Sequence, residues 1–272
     1  MEEILKTYRE WHKTRKDGEL FKINGEDLNG YDLSGLSLTY IDFWKCNLSG
    51  ADLSGSDLSH SKLNFCNLSH ATLEHTLMHE TEAKYTNFES ADLTNTCLDF
   101  ATLDHSRFIK TNLELSSLDY ADIKMARFYK AKLNETSLRG SKLDYTEFEL
   151  CDLTHADLGN TDLTYTSFYY SNLTSANIVH STVYRTDFKG SILDGTNMDY
   201  SSLPLWCGSL DIHIDDRLAA QILYHLIRNV KFSNCVSKDY KETLLTEEIV
   251  ELANRFHRVS DDELKEVKPW VG

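Results

Sequence analysis

Residues 46–65 read CNLSG-ADLSG-SDLSH-SKLNF, four blocks of five residues that each carry leucine in the third position. This register runs from Leu28 to Leu203 without an insertion, and only Ala83 is not a large apolar residue at the central position. Two places before each centre, from Cys46 to Ser201, every residue is Ala, Ser, Thr or Cys. Two inward positions per five residues suit neither a helix nor a plain strand, so a repeat structure is expected.

Phenylalanine recurs at the centre of every fourth block, at Phe88, Phe108, Phe128, Phe148, Phe168 and Phe188. Stacked solenoids place like residues on like, so one coil is expected to contain 20 residues and to have four sides. The six rings are then predicted to form a core stack. About nine coils at a spacing of about 4.8 Å would make a rod of roughly 43 Å.

Blocks such as Ala51-Asp52-Leu53-Ser54-Gly55 and Ala91-Asp92-Leu93-Thr94-Asn95 resemble the A(D/N)LXX motif of the pentapeptide-repeat family. The resemblance covers about residues 26–205. It implies an all-β solenoid, a right-handed quadrilateral β-helix. The family includes quinolone-resistance proteins that resemble duplex DNA in shape and charge and protect gyrase or topoisomerase IV.

The two ends of the chain leave the five-residue register. Residues 1–25 are predicted to be a capping helix with its lead-in, with Ile4, Tyr8 and Trp11 on one face and Gly18 as its terminator. Residues 26–205 form the repeat domain, and residues 206–272 are predicted to be a C-terminal helical cap. An uncovered coil would expose unpaired backbone and apolar side chains, so both ends need covers. The C-terminal helices could alternatively dimerise the rod.

The net charge of −15 disfavours nucleic acid and anionic membranes as partners, because both repel an acidic surface. The N-terminus lacks the apolar segment of a signal peptide, and no apolar run reaches the length of a membrane span. The six cysteines show no CxxC spacing. A cytoplasmic protein is therefore expected. Cys46 and Cys66 are predicted to stack 20 residues apart and to stay reduced, although their spacing would allow a disulfide.

No catalytic constellation is found in the sequence. His75 and His79 form an HxxxH pair without the glutamate of a zinc protease and on different predicted faces. The frequent aspartate before the central leucine is interpreted as a turn-stabilising residue rather than as an acid or base. We therefore expect no enzyme activity, cofactor, metal or small-molecule substrate.

Sorting the outward positions by face predicts an acidic half of the rod. The face centred on Leu33 and Leu53 carries eight acidic residues and a single basic residue, Lys132. The acidic residues include Asp52, Asp92, Glu114 and Asp152. We call this side of the rod the acidic face. The next face, centred on Leu38, is also acidic. Together the two acidic faces would carry one net negative charge per roughly 3.6 Å of rod length, whereas duplex DNA carries one per about 1.7 Å of helix axis.

The face centred on Phe43, Leu63 and Ala83, which we call the balanced face, carries six acidic and six basic residues. Two places after the centres, this face holds Phe65, Tyr85, Tyr145 and Tyr165, and Trp44 and Tyr184 lie one place after their centres. We call these six aromatic residues the aromatic stripe. Contiguous exposed aromatic residues are typical of interfaces. The alternative is that these rings only stack from coil to coil.

Two functions compete at this point. The first is a non-catalytic interaction or scaffold rod that binds a protein partner or a second copy of itself. The second is a DNA mimic that binds a DNA-handling protein such as a type II topoisomerase. The uninterrupted register and the long C-terminal segment differ from the quinolone-resistance proteins and favour the first.

Overall fold

The computed structural model describes residues 2–16 and 19–198. The predicted C-terminal cap, residues 206–272, and the last residues of the repeat domain lie outside the described residues. Within the described residues the chain folds as one helix followed by a stack of short coils that are joined by parallel β-bridges.

Helix α1 spans Glu2–Thr14 and lies against the first coils. Tyr8 is buried and donates its hydroxyl to the carbonyl of Thr39, at 2.9 Å. The Trp11 ring lies 5.5 Å from that of Phe21. The helix ends four residues before Gly18, the predicted terminator, which is outside the described residues. The apolar face that was predicted for this helix is thus the face that packs.

The coils are joined by parallel pairing between residues 20 apart. Isolated bridges connect the residue before each centre with its counterpart in the next coil, as in Asp52 with Thr72 and Thr72 with Asp92. Five short strands are continuous enough to be named: β1 Phe21–Lys22, β2 Ile41–Asp42, β3 Arg107–Ile109, β4 Arg127–Tyr129 and β5 Glu147–Glu149. β1 pairs with β2, and β3, β4 and β5 form a parallel sheet in order. The 20-residue coil predicted from the phenylalanine spacing is therefore confirmed.

Each corner is a four-residue turn that needs a left-handed residue. In the block of Leu53, the amide of Ser56 donates to the Leu53 carbonyl at 3.0 Å, and Gly55 has φ of 62°. Most blocks place an ordinary residue at this position, such as Tyr85 with φ of 55°. Such a residue costs about 1–2 kcal/mol, which packing must offset. The turn-stabilising role predicted for aspartate is present, since Asp52 accepts from the Ser54 amide at 2.9 Å.

The phenylalanine centres stack along one side of the core. Successive rings from Phe88 to Phe188 have centroids 4.8, 4.5, 4.7, 5.1 and 5.3 Å apart. The first five are fully buried, whereas Phe188 is only half-buried. Phe188 lies in the last described coil, where it stacks on Phe168 and packs against the core. Rings at this spacing gain about 0.5–1.5 kcal/mol per pair beyond burial.

The small inward column contributes hydrogen bonds as well as space. Thr76 Oγ1 donates to the Leu53 carbonyl at 2.8 Å, and Thr96 Oγ1 donates to the Leu73 carbonyl at 2.6 Å. Cys66 uses its thiol in the same way, on the carbonyl of Phe43 at 2.8 Å. Each bond joins residues 23 apart and gives a second donor to a carbonyl that already accepts the turn amide of its own block. The column is small because the coil is narrow, and its hydroxyl groups tie each coil to the preceding one.

Candidate interaction surface

The aromatic stripe lies in the open on the balanced face. All six of its members are exposed by more than a third, from 37% at Tyr165 to 51% at Tyr85 and Tyr145. Phe65, Tyr85, Tyr145 and Tyr165 occupy the left-handed corner position of their blocks. That backbone conformation directs the side chains out of the rod at the same corner, and His105 and Met125 occupy this corner in the two coils between Tyr85 and Tyr145.

The stripe rings stack face to face along the rod. Phe65 and Tyr85 have centroids 5.0 Å apart and planes within 1°, and Tyr145 and Tyr165 are 4.7 Å apart within 8°. The imidazole of His105 continues the first stack, 4.7 Å from Tyr85. The ring faces are therefore covered by neighbouring coils. A partner would meet the ring edges and the tyrosine hydroxyl groups.

Both ends of the stripe are closed by an edge-on ring. Trp44 meets Phe65 at 4.7 Å and 68°, and Tyr184 meets Tyr165 at 6.0 Å and 88°. Arg185 lies beside these last rings and donates to the Tyr165 hydroxyl at 3.0 Å. The stripe is thus ordered before any partner binds, so little side-chain freedom remains to be lost on binding.

Ion pairs between coils neutralise the balanced face. In the column after the centres, next to the stripe, the pairs are Lys84 with Asp104 at 3.3 Å and Lys124 with Asp144 at 3.5 Å. In the column before the centres, farther from the stripe, they are Lys62 with Glu82 at 2.8 Å and Lys142 with Asp122 at 3.4 Å. Each is partly exposed and contributes little to stability, about 0–1 kcal/mol. Their main effect is to fix an ordered pattern of alternating charge.

The centre of the balanced face has perturbed ionisation. Burial raises the pKa of the Asp104 carboxyl, and the neighbouring carboxylate of Asp122 raises it further. The pKa of Lys124 is also raised, mainly by Asp144. The pKa shift of Lys124 thus arises mainly from a charge on the adjacent coil, whereas that of Asp104 arises first from burial and then from its acidic neighbour.

The four members predicted for the acidic face lie on one side of the rod but do not form an unbroken charge column. The bridged order runs Asp52, Thr72, Asp92, Asn112, Lys132, Asp152. Asp52, Asp92 and Asp152 each bind the amide two residues later with one carboxylate oxygen. Glu114 accepts from the side chain of Asn134 at 2.5 Å. These carboxylates are therefore spaced by neutral groups and partly engaged in turns.

Two further features were not predicted. On the face centred on Leu38, the corner column holds another ring stack, Phe100 with Tyr120 at 5.2 Å, both exposed. Sorting the corner residues of this face would have revealed it, since the same alignment by 20 applies. A groove of about 460 Å³ runs between α1 and the first coil, and its lining includes Lys6, Arg9 and Lys13.

Within residues 2–16 and 19–198 no group of three or more histidine, cysteine or acidic side chains is placed to hold a metal ion. His79 instead contacts Glu80 at 3.3 Å, and His75 occupies a left-handed corner. No helix within these described residues is long and apolar enough to cross a bilayer.

Comparisons with known proteins place the chain in a family. The family model of pentapeptide repeats matches residues 27–64, 61–99, 96–134 and 131–168. A comparison with curated protein sequences gave no match. Among solved structures, HetL is similar, a pentapeptide repeat protein involved in heterocyst differentiation regulation from the cyanobacterium Nostoc sp. strain PCC 7120. The two share 18% identity and a TM-score of 0.65 over 76% of this chain and 92% of HetL.

QnrB1, a plasmid-mediated fluoroquinolone resistance protein, aligns over 78% of this chain and 98% of its own, at 18% identity and a TM-score of 0.42. The likeness to HetL extends to the fold alone. The family assignment depends on the repeat itself, whose matched segments run continuously over half of the sequence and coincide with the 20-residue coils of the structure. The chain belongs to the pentapeptide-repeat family.

Proposed function

We propose that the protein is a non-catalytic interaction rod that binds a protein partner through the aromatic stripe on its balanced face. The observation that carries the proposal is the order of the stripe: exposed rings, stacked and closed at both ends, on a face where four ion pairs join neighbouring coils. Rings held in this way form a surface without a large loss of side-chain entropy. The acidic half repels other acidic molecules and leaves the balanced face as the approachable side.

The proposal also includes the handedness of the rod, its number of coils and the covers of its two ends. We infer a right-handed solenoid of about nine coils, with residues 1–25 covering one end and residues 206–272 covering the other. The contacts of Tyr8 and Trp11 with the first coils support the N-terminal cover. A cytoplasmic location agrees with the free thiols of the four described cysteines, which a reducing compartment would preserve.

The DNA-mimic alternative has weaker support. Its candidate residues, Asp52, Asp92, Glu114 and Asp152, are interleaved with threonine, asparagine and lysine along the rod. Duplex DNA presents a charge every 1.7 Å or so along its axis, whereas carboxylates two coils apart are separated by about 9.6 Å. The spacing of charge on this column is therefore unlike that of a phosphate backbone.

The test is affinity capture from the source cell with wild type and with the variant Phe65→Ser, Tyr85→Ser, Tyr145→Ser. We expect the variant to lose the captured partner, with binding weakened by about 2 kcal/mol or more, the usual threshold of an interface hot spot. The matched control is Phe100→Ser with Tyr120→Ser, which removes exposed stacked rings from another face. If the two variants retain the same partners as wild type, the stripe only stacks the coils and the proposal is wrong.

A further inference from the structure

We infer that the occupant of the balanced face is a second copy of this chain, packed antiparallel across a two-fold axis that crosses the face between the coils of His105 and Met125. The inference depends on the proposed function, because it names the partner of the same stripe. It is carried by the order of charges along the two outward columns that share this face with the stripe.

Each coil contributes three outward residues to the balanced face. The column before the centres runs Asp42, Lys62, Glu82, Thr102, Asp122, Lys142, Asp162, Thr182. The column after the centres runs Trp44, Asn64, Lys84, Asp104, Lys124, Asp144, Thr164, Tyr184. The corner column between this face and the next runs Lys45, Phe65, Tyr85, His105, Met125, Tyr145, Tyr165, Arg185. Parallel bridging 20 residues apart keeps every column in register over the whole face.

A two-fold axis in the plane of the face and perpendicular to the rod sets each column against its own copy in reversed order. With the axis between the fourth and fifth of these coils, Lys84 faces Asp144 of the second copy. Asp104 likewise faces Lys124 of the second copy. Each of these contacts occurs twice because the interface is symmetric.

The column before the centres obeys the same symmetry. Lys62 faces Asp162 of the second copy, and Glu82 faces Lys142 of the second copy. The two remaining acids of this column, Asp42 and Asp122, face threonine. No two like charges oppose each other in either of the two columns, although each column holds both signs.

The stripe is matched by the same operation. Phe65 faces Tyr165 of the second copy, Tyr85 faces Tyr145, and the edge-on rings Trp44 and Tyr184 that close the stripe face one another across the two copies. Like charges meet only at the two extremes of the corner column, where a lysine opposes an arginine. Those side chains are long and lie at the rim, where water screens them.

A parallel dimer fits less well. An axis along the rod would set the two columns against each other at the same coil, which gives three distinct pairs of opposite charge, against four in the antiparallel arrangement: Glu82 with Lys84, Asp122 with Lys124, and Lys142 with Asp144. Lys62, Asp104 and Asp162 would face neutral residues. The aromatic stripe lies at the edge of the face, so the parallel arrangement would not set it against its own copy.

The charges that define this pattern are available to a partner. The side chains of Lys84 and Lys124 are 40% and 41% exposed and that of Lys142 is 60% exposed, whereas the side chains of Asp104 and Asp144 are only 26% and 21% exposed, so the lysines must reach towards them. Each lysine is also held near a carboxylate of an adjacent coil at 3.3–3.5 Å. A second copy therefore meets positioned charges rather than free side chains. The acidic half, by contrast, repels its own copy.

The experiment is sedimentation equilibrium of the full chain over a micromolar to millimolar series, with Lys84→Glu and Asp144→Lys measured separately and as an equimolar mixture. Wild type is expected to show a monomer–dimer equilibrium. Each variant turns two facing pairs repulsive and is expected to raise the dissociation constant about tenfold, since two exposed pairs together are worth about 1–2 kcal/mol. In the mixture, the introduced glutamate meets the introduced lysine, and the other contact is wild type. Dimerisation is therefore expected to return.

The control is Arg139→Glu, which changes the charge equally and breaks a comparable ion pair, with Asp157 at 3.7 Å, on a different face. It is expected to leave the dissociation constant within a factor of about two. A monomeric wild type at all concentrations, a mixture that does not recover, or an equal effect of the control overturns the antiparallel dimer. Loss of captured partners by the stripe variant alongside a monomeric wild type would leave the proposed function standing with a different protein as partner.

Discussion

The ring of Tyr120 lies directly over Gly140 in the next coil, and a Cβ built on Gly140 would come within 2.5 Å of Tyr120 Cε1. Gly140 also has φ of 65°. Two constraints therefore act on one residue, a left-handed backbone and an aromatic neighbour from the preceding coil.

Replacing Gly140 by alanine is expected to cost more stability than the same change at Gly55. Gly55 has φ of 62° and nothing within 4 Å of a built Cβ, so alanine there bears only the backbone cost, about 1 kcal/mol. Gly140→Ala must also displace the ring, at about 1 kcal/mol or more in addition. Urea denaturation of both variants measures the difference. Equal losses at the two sites would show that the ring moves aside without cost.

Phe128→Ala is expected to destabilise the protein by about 3–5 kcal/mol, as for other buried phenylalanine truncations. The ring is fully buried between Phe108 and Phe148, at 4.5 and 4.7 Å. Phe188→Ala is the comparison, with a smaller expected loss because this residue is half-buried. Thermal and chemical denaturation report both. A loss below about 1 kcal/mol at Phe128 would contradict its core position.

Thr96→Val tests the hydroxyl column. Valine keeps the shape of threonine but removes the 2.6 Å bond to the Leu73 carbonyl, so a loss of about 1 kcal/mol is expected. Thr102→Val is the control, because that side chain lies in an outward column and is partly exposed. The two variants are compared by the midpoint of urea unfolding. A neutral Thr96→Val would mean that the inward column is selected for size alone.

Cys66 is expected to resist alkylation in the native protein. Its thiol is buried, and burial raises its pKa to about 12. Because this pKa lies above the ordinary thiol value of 9.0, the unfolded chain releases the proton first, and the free energy of unfolding is expected to fall as the pH rises from about 9 to about 12. Mass spectrometry with a thiol reagent at pH near 8 should find Cys46, Cys66 and Cys151 protected until denaturant is added.

The same experiment addresses the state of these cysteines in the isolated protein. Cys46 and Cys66 donate to separate backbone carbonyls, those of Ile23 and Phe43. We therefore expect two labelled thiols after denaturation without reductant. A cross-linked peptide containing both residues would contradict this prediction.

Gyrase supercoiling is expected to be unaffected by micromolar amounts of the protein. The carboxylates of Asp52, Asp92 and Asp152 are separated by neutral or basic residues along their column and do not reproduce a phosphate backbone. Inhibition that falls with added salt, and that is lost in the variant Asp52→Asn, Asp92→Asn, Asp152→Asn, would favour the DNA-mimic alternative instead.

The sequence alone determined the coil and its core. A strict five-residue register fixes which residues point inward, and phenylalanine at every twentieth residue fixes how many blocks close one coil. Stacked coils repeat the same contacts, so the position of Phe108 on Phe88 follows from their separation in the chain. The outward columns, and with them the aromatic stripe and the balanced face, follow from the same register.

Only the tertiary structure decided how neighbouring coils use their side chains. The sequence does not reveal that Thr76 donates to a carbonyl 23 residues earlier, that Trp44 and Tyr184 meet the stripe edge-on, or that Tyr120 covers Gly140. Each depends on a rotamer and on the exact rise between coils, which register does not specify. The inward or outward side of a residue is a property of the repeat, whereas its partner is set by side-chain conformations in two coils at once.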